Sequence, residues 1–309
     1  MPNILKETNF KHLGTKKIGK VRDVYVQKDK IILVSTNRHS SFDRIIAHIP
    51  HKGQVLTQSS LFWFEKTKDI VQNHVLANPD PNVVIGKKCS VIPIEMVVRG
   101  YITGSTNTSL WTLYENGQRD FGDFKLLNGM KKNDKLKIPV ITPTTKSDEH
   151  DEPLTGKEIL KRKIVSPKLW KQLQTVALKL FLRGQRIAKS RGLILVDTKY
   201  EFGLDDKGKL TLIDEIHTPD SSRWWKEGSQ DFMDKEFLRM WFKDHCDPYK
   251  DKVLPAAPPK MIAELSRRYI QIYEQLTGKK FKKGLPRRAK AGATPIAKRI
   301  EKNLKKYQI

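Results

Sequence analysis

The sequence predicts a mixed helix-and-strand protein, of class α/β or α+β, on three observations. The first ninety residues are rich in β-branched runs separated by polar turns. Two later stretches carry apolar residues at helical spacing over many turns. No internal repeat orders these pieces into a solenoid or propeller.

Taken in order, "KIGKVRDVYVQ", the turn Lys28-Asp29-Lys30 and "IILVSTN" read as a hairpin. "VLTQSSLFWFEKTKDIVQNHV" has helical spacing at Leu61, Phe64, Ile70 and Val71. "NVVIGKKCSVIPIEMVVRGYI" holds two strands around Gly86-Lys87-Lys88. Residues 104–156 are rich in Gly, Asn, Asp, Lys, Thr and Pro and read as a long irregular segment, a kind of segment that often carries function. Ser166-Pro167 gives an N-cap and a first-turn proline. Leu169, Leu173, Val176, Leu180 and Ile187 continue that helix to Gly192. "LILVDTKYEFG" and "LTLIDEI" form a second hairpin around "LDDKGKL". Helical stretches follow near Asp231 to Lys243 and from Met261 to Leu276, and the last thirty residues are strongly basic.

The chain has 309 residues, 38% of them hydrophobic, enough for a large core. Its 59 Lys and Arg against 34 Asp and Glu give a net charge of +25. That balance suits nucleic acid, an acidic membrane surface or small anionic substrates, and equally a basic source proteome. Cys89 and Cys246 have neither metal-type nor redox-type spacing. No apolar run approaches the ~18 residues of a membrane helix, and "MPNILKETNFKHLG" lacks a signal-like apolar core. A cytoplasmic protein without a membrane partner is expected.

The second hairpin carries the chemistry. Strand residues alternate faces, so Asp197, Lys199 and Glu201 share one face, with neighbours roughly 7 Å apart. On the returning strand Leu210, Leu212 and Asp214 share a face, so Glu201 and Asp214 can bring two carboxylates together. Two carboxylates beside a phosphate site are what Mg²⁺ takes from a protein; the alternative is a solvated strand end with ion pairs. In "GKVRDVY", Gly19 allows close backbone approach, and Lys20 and Arg22 point the same way. Such a turn can cover a triphosphate, although one glycine and two cations also occur together by chance. Arg99 follows Val97-Val98 and is presented from a buried strand, as suits bidentate anion binding. Gly104-Ser105 offers an anion nest, and Arg223 leaves the turn Pro219-Asp220-Ser221-Ser222 beside Trp224 and Trp225, where stacking on the indoles is the alternative role.

These segments resemble a known family. "IPIEMVVRGYITGS" and "LVDTKYEFG", with "GKVRDVY", "STNRHSSFD" and "DEIHTPDSSRWW" in order, are similar to those of the SAICAR synthetase family over residues 12–245. The resemblance implies an α+β, two-lobed fold like that of kinases and ATP-grasp ligases. Its lobes would be a β-rich ATP-covering lobe over 1–92, a central α/β lobe with the substrate and metal site over 93–248, and a basic helical segment over 249–309. It implies joining of L-aspartate to the carboxylate of a carboxyaminoimidazole ribonucleotide, with ATP and Mg²⁺ as cofactors and a monomer or homodimer as the assembly.

On that basis Gly19, Lys20 and Arg22 lie over the ATP phosphates, Lys146 reaches the nucleotide, and Glu201 and Asp214 serve Mg-ATP. Arg99, Ser105 and Arg223 hold the ribonucleotide phosphate, with Asp220 also on the substrate. Asp43 sits near the imidazole. Asp197 and Lys199 face the reacting groups, Asp197 positioning Lys199 or the attacking amine, and the adenine meets backbone near Lys88 to Val91. A kinase would need an HRD-type loop, and the sequence has none. A nucleic-acid partner for "KKFKKGLPRRAK" lacks any recognisable binding motif. The basic tail is expected to be a solvated face dispensable for the chemistry.

Overall fold

The computed structural model describes residues 4–146, 152–229, 231–283 and 295–307. After a 3-10 turn at Lys11–Leu13 come β1 (Thr15–Ile18), β2 (Arg22–Val26), β3 (Lys30–Ser35), β4 (Arg38–Ser41), β5 (Arg44–His48) and α1 (Lys52–Thr67). Then follow β6 (Gln72–Asn73), β7 (Val75–Asp80), β8 (Val83–Lys87), β9 (Ser90–Tyr101), α2 (Leu110–Glu115), β10 (Lys135–Ile141) and β11 (Thr144–Thr145). The remainder is α3 (Gly156–Lys161), α4 (Pro167–Lys189), β12 (Leu193–Leu204), β13 (Leu210–Ile213), β14 (Ser222–Lys226), α5 (Glu236–His245), α6 (Pro259–Thr277) and α7 (Pro295–Lys305). The class is α+β, with largely antiparallel sheets.

The chain forms two compact units. The first joins residues 1–65, 73–89 and 237–309, and the second 66–72 and 90–236. The lobes expected from sequence divide the chain at 92/93 and 248/249 instead. The difference lies in the C-terminal helices. Leu238, Phe242, Leu265 and Tyr269 of α5 and α6 share a core with Phe42, Ile49, Val55 and Leu56. Ile296, Ile300 and Leu304 of α7 are 6%, 0% and 0% exposed, in a core with Leu5, Tyr25, Ile32 and Ile85. The expectation of a solvated basic tail is therefore corrected for 295–305. That helix turns Lys298, Lys302 and Lys305 outward and three aliphatic residues, four apart, inward, while Arg299 pairs with the buried Asp80. "KKFKKGLPRRAK" lies largely outside the described residues.

In the first unit a five-stranded sheet runs β1-β2-β3-β8-β7, and the first expected hairpin is β2 with β3, Val26 opposite Ile31. In the second, a seven-stranded sheet runs β10-β9-β12-β13-β6, with β11 on β9 and β14 on β12. The segment read as irregular thus supplies α2 and two strands. β10, "KLKIPVI", tolerates Pro139 because it is an edge strand.

Helix α4 begins as the sequence indicates. The Ser166 side chain accepts from Leu169 N–H, Pro167 stands in the first turn, and Leu173, Ala177, Leu180 and Phe181 are buried. The helix lies against β12 and β9. Gly184 lets it approach closely, since a Cβ there would stand 2.5 Å from His217 and 2.6 Å from Leu195. This backing makes β12 rigid, a suitable support for a site.

Candidate active site

The register of β9, β12 and β14 assembles the charged row. On one side Asp197 pairs with Arg99, Lys199 with Val97 and Glu201 with Glu95. On the other, Asp197 pairs with Arg223. Directly opposed residues share a face, so this face presents Arg99, Asp197 and Arg223 at one end, and Glu95, Lys199 and Glu201 at the other.

At the first end the Asp197 carboxylate accepts from Arg223 Nη1 at 2.6 Å and Arg99 Nη1 at 3.5 Å. Arg223 Nε reaches Glu236 at 3.4 Å, and Arg99 Nε donates to Thr142 Oγ1 at 2.8 Å. All four charged groups are buried, yet the two arginines differ. Burial and the neighbouring Arg223 charge lower the Arg99 guanidinium to about 10 despite Asp197. Burial also works against Arg223, but Asp197, Glu236 and Asp234 outweigh it and hold its pKa above the ordinary value. Asp197 is thus engaged by two arginines, where the sequence reading gave it Lys199 as an alternative partner.

Gly104, at φ +112, is adjacent to Arg223; a Cβ there would lie 2.8 Å from Nη2 and 2.4 Å from the Ser109 Cβ. Only glycine suits this backbone and this space. The Gly104-Ser105 turn and Arg223 therefore meet. Ser105 is buried. Asp220 has its carboxylate buried and paired with Lys235 at 3.0 Å.

At the second end Lys199 donates to Glu95 and lies 3.4 Å from Glu201. Lys146 pairs with the other oxygen of Glu201. Burial pulls the Lys199 ammonium down, but Glu201, Glu95 and Asp214 outweigh it and hold its pKa well above normal. Burial pushes the Glu201 carboxyl up, but Lys199 and Lys146 outweigh it and hold its pKa below the usual range. Asp214 lies one residue past β13, with left-handed backbone at φ 61. Strand alternation does not deliver it beside Glu201, because Glu201 opposes Ile213; its charge acts on Lys199.

In the first unit, Gly19 N–H donates to the Arg22 carbonyl at 2.8 Å and closes the β1–β2 turn. Arg38 donates to the Gly19 carbonyl at 2.9 Å and to Asp23 at 2.8 Å, fixing the turn from beneath. Arg22 is buried, and Lys20 forms an exposed pair with Asp43, at left-handed φ 57. Sequence reasoning missed Glu95, Arg38, Asp234, Lys235 and Glu236. Glu95 had a signal: it shares alternation with Val97 and Arg99.

Among the described residues no cluster of three or more His, Cys, Asp or Glu could hold a metal ion, and no helix is long and apolar enough to cross a membrane. Similarity to known proteins covers the span that holds these residues. The family model for SAICAR synthetase matches residues 15–256. A phosphoribosylaminoimidazole-succinocarboxamide synthase of Legionella pneumophila (strain Paris) is 53% identical, over 91% of this chain and 93% of that protein. Among solved structures, the SAICAR synthase of Saccharomyces cerevisiae complexed with SAICAR has a TM-score of 0.77 at 32% identity, covering 90% of this chain and all of that one. A type-2 SAICAR synthetase in complex with ADP has a TM-score of 0.68 at 25% identity, covering 87% of this chain and all of that one. The matched span takes in both ends of the charged row and the β1–β2 turn, and the chain belongs to the SAICAR synthetase family.

Proposed function

We propose that the chain catalyses its family's ligation, joining L-aspartate to the carboxylate of 5-amino-1-(5-phospho-D-ribosyl)imidazole-4-carboxylate in purine biosynthesis, and that it does so through an acyl phosphate. The imidazole carboxylate oxygen attacks the γ-phosphorus of ATP, and ADP leaves with the electron pair of the broken bond. The aspartate amine then attacks the acyl carbon, the C–O bond to phosphate breaks, and the nitrogen gives up a proton. SAICAR, ADP and phosphate result. Every reactant is an anion, so positioned cations are the chief requirement.

The observation that carries this reading is the row of alternating charge on β9, β12 and β14, buried at Glu95, Arg99, Asp197, Glu201 and Arg223 and part-exposed at Lys199. Its Arg99, Arg223 and Gly104-Ser105 end suits a phosphate monoester, with Asp220 shaping the turn below Arg223. Its Lys199 end suits a substrate carboxylate, with Glu95 and Glu201 orienting the ammonium. Asp197 holds the two arginines at a fixed spacing.

Lys146, Glu201 and Asp214 are assigned to the nucleotide, and Gly19, Lys20 and Arg22 to its phosphates. Asp43 is assigned to the imidazole substrate, and its pairing with Lys20 makes it a local charge balance for that cation as well. The ADP complex of the related synthetase supports nucleotide use. For Mg²⁺ the donor chemistry fits. Glu201 already accepts two cationic groups, Asp214 brings a second carboxylate charge, and Mg²⁺ takes few protein oxygens beside phosphates. Glu201 and Asp214 would hold it; when bound it spreads the triphosphate charge.

The test is ADP release with each organic substrate omitted in turn. Release is expected only with ATP, ribonucleotide and L-aspartate together. Undiminished release without aspartate would count against the coupled ligation.

A further inference from the structure

The structure assigns a positioning role to the tripeptide Asp234-Lys235-Glu236: it clamps the Asp220–Trp224 turn and aims Arg223 at the ribonucleotide phosphate. The inference rests on the reading of Arg223 given above.

Each of the three residues holds a different point of the turn. The Asp234 carboxylate accepts Trp224 N–H at 2.6 Å, and its other oxygen accepts Glu236 N–H at 2.8 Å. Lys235 Nζ lies 3.0 Å from Asp220, whose side chain is 1% exposed. Glu236, 2% exposed, lies 3.4 Å from Arg223 Nε. The backbone closes the same clamp, with Met233 N–H donating to the Trp224 carbonyl at 3.1 Å and a bridge joining Trp225 to Phe232.

The geometry explains why an arginine needs this help. A guanidinium has five N–H donors in one rigid plane. With Nε held by Glu236 and Nη1 by Asp197, the plane cannot turn about its stem. Its Nη2 is left at the Gly104 turn, where only the missing Cβ makes room. A single carboxylate at Asp197 would leave the plane free to swing; two on adjacent edges fix it. Arg99 has no second carboxylate among its described contacts and is held by Thr142 and the Thr108 carbonyl. The clamp thus acts on one arginine of the pair. Lys235 holds the turn itself, and the Asp234 carboxylate accepts at both oxygens, which an amide cannot do.

The test compares Glu236→Gln, Glu236→Ala and Lys235→Met with the parent enzyme by steady-state kinetics in all three substrates. Ribonucleotide binding by calorimetry and the melting temperature are measured alongside. Glu236→Ala is expected to raise KM for the ribonucleotide roughly ten-fold or more, the scale of a lost charge-assisted bond. KM for ATP stays within about two-fold. Glu236→Gln, which retains an oxygen to accept Nε–H, is expected to recover most of that loss. Lys235→Met raises the same KM through Asp220, by a smaller factor. The clamp is overturned if ribonucleotide KM and affinity are unchanged in folded Glu236→Ala and Lys235→Met. It is equally overturned if all three KM values move together with the melting temperature, or if Glu236→Gln is no better than alanine. Should Glu236→Ala not fold, the Gln and Met variants decide by the same criteria. An Arg223→Lys control separates the two readings: unchanged ribonucleotide affinity there defeats the phosphate assignment rather than the clamp.

Discussion

The β1–β2 arm and the β12 row both carry alternating charge, yet they are built on different physics. In the arm, Lys20 and Asp43 form one pair with side chains 47% and 46% exposed. In the row, Asp197 is 4% exposed and holds two arginines. Water screens the first pair, and losing it costs little. The Asp197 end of the row has no such relief, since an unpaired charge there would be stranded. Charge in a sequence acquires meaning only with the burial that folding gives it.

Asp197→Ala breaks this contrast most severely. It leaves Arg99 and Arg223 without their shared carboxylate and is expected to destabilise by roughly 3–5 kcal/mol, read from urea unfolding. Arg299→Ala asks whether the unit or the burial decides. Arg299 holds Asp80, whose side chain is fully buried, at 2.8 Å in the first unit. A loss of the same order, about 3–5 kcal/mol, is expected, which would make burial the deciding factor. A loss near that of a surface pair would refute this.

Leu304→Ala follows. Its side chain is 0% exposed in the α7 core, and large-to-small changes of this kind cost about 2–5 kcal/mol. A chain ending near Gly278 would therefore lose stability before any effect on chemistry could be read from it.

Glu201 sharpens the comparison through pH. Burial pushes its carboxyl up, but Lys199 and Lys146 outweigh it and hold the folded pKa at about 2, below the ordinary carboxylate range. A depressed carboxyl contributes stability fully above its unfolded pKa and loses it as pH falls. The gap in melting temperature between the parent and Glu201→Gln should therefore be constant above about pH 5 and shrink from there towards pH 2. A gap that does not change across that window would show that Glu201 is not held by its lysines.

The smallest effect is at the arm. A double-mutant cycle on Lys20 and Asp43 is expected to give a coupling of only about 0–1 kcal/mol. A larger value would mean the arm is not governed by solvent screening.

Much of this was legible in the residues. The hairpin of β12 and β13 follows from "LILVDTKYEFG" and "LTLIDEI", and alternation put Asp197, Lys199 and Glu201 on one face. The same rule reaches Glu95 from Arg99, but a lone glutamate in an apolar run gives no chemical prompt. Asp214 exposes the limit of alternation, since a positive φ ends the strand one residue before it. Asp234, Lys235 and Glu236 had no local signal at all, because their meaning lies in partners on another strand. In α7 the signal was present but masked. Ile296, Ile300 and Leu304 are spaced by four, but the cations between them give the segment the composition of a charge run.

The first unit is sewn from three separated stretches of chain, and its order of synthesis follows from that. The second unit is nearly continuous in sequence and can close soon after Glu236 is made. The first cannot. Ile32 and Ile85 leave the ribosome more than two hundred residues before Ile300 and Leu304 arrive to cover them. Contacts so distant along the chain form slowly, and apolar surface stays exposed while they are awaited. The nascent chain therefore carries a finished charged row while its other unit is still incomplete, and in that interval the β-rich amino-terminal sheet is the part most in need of a chaperone.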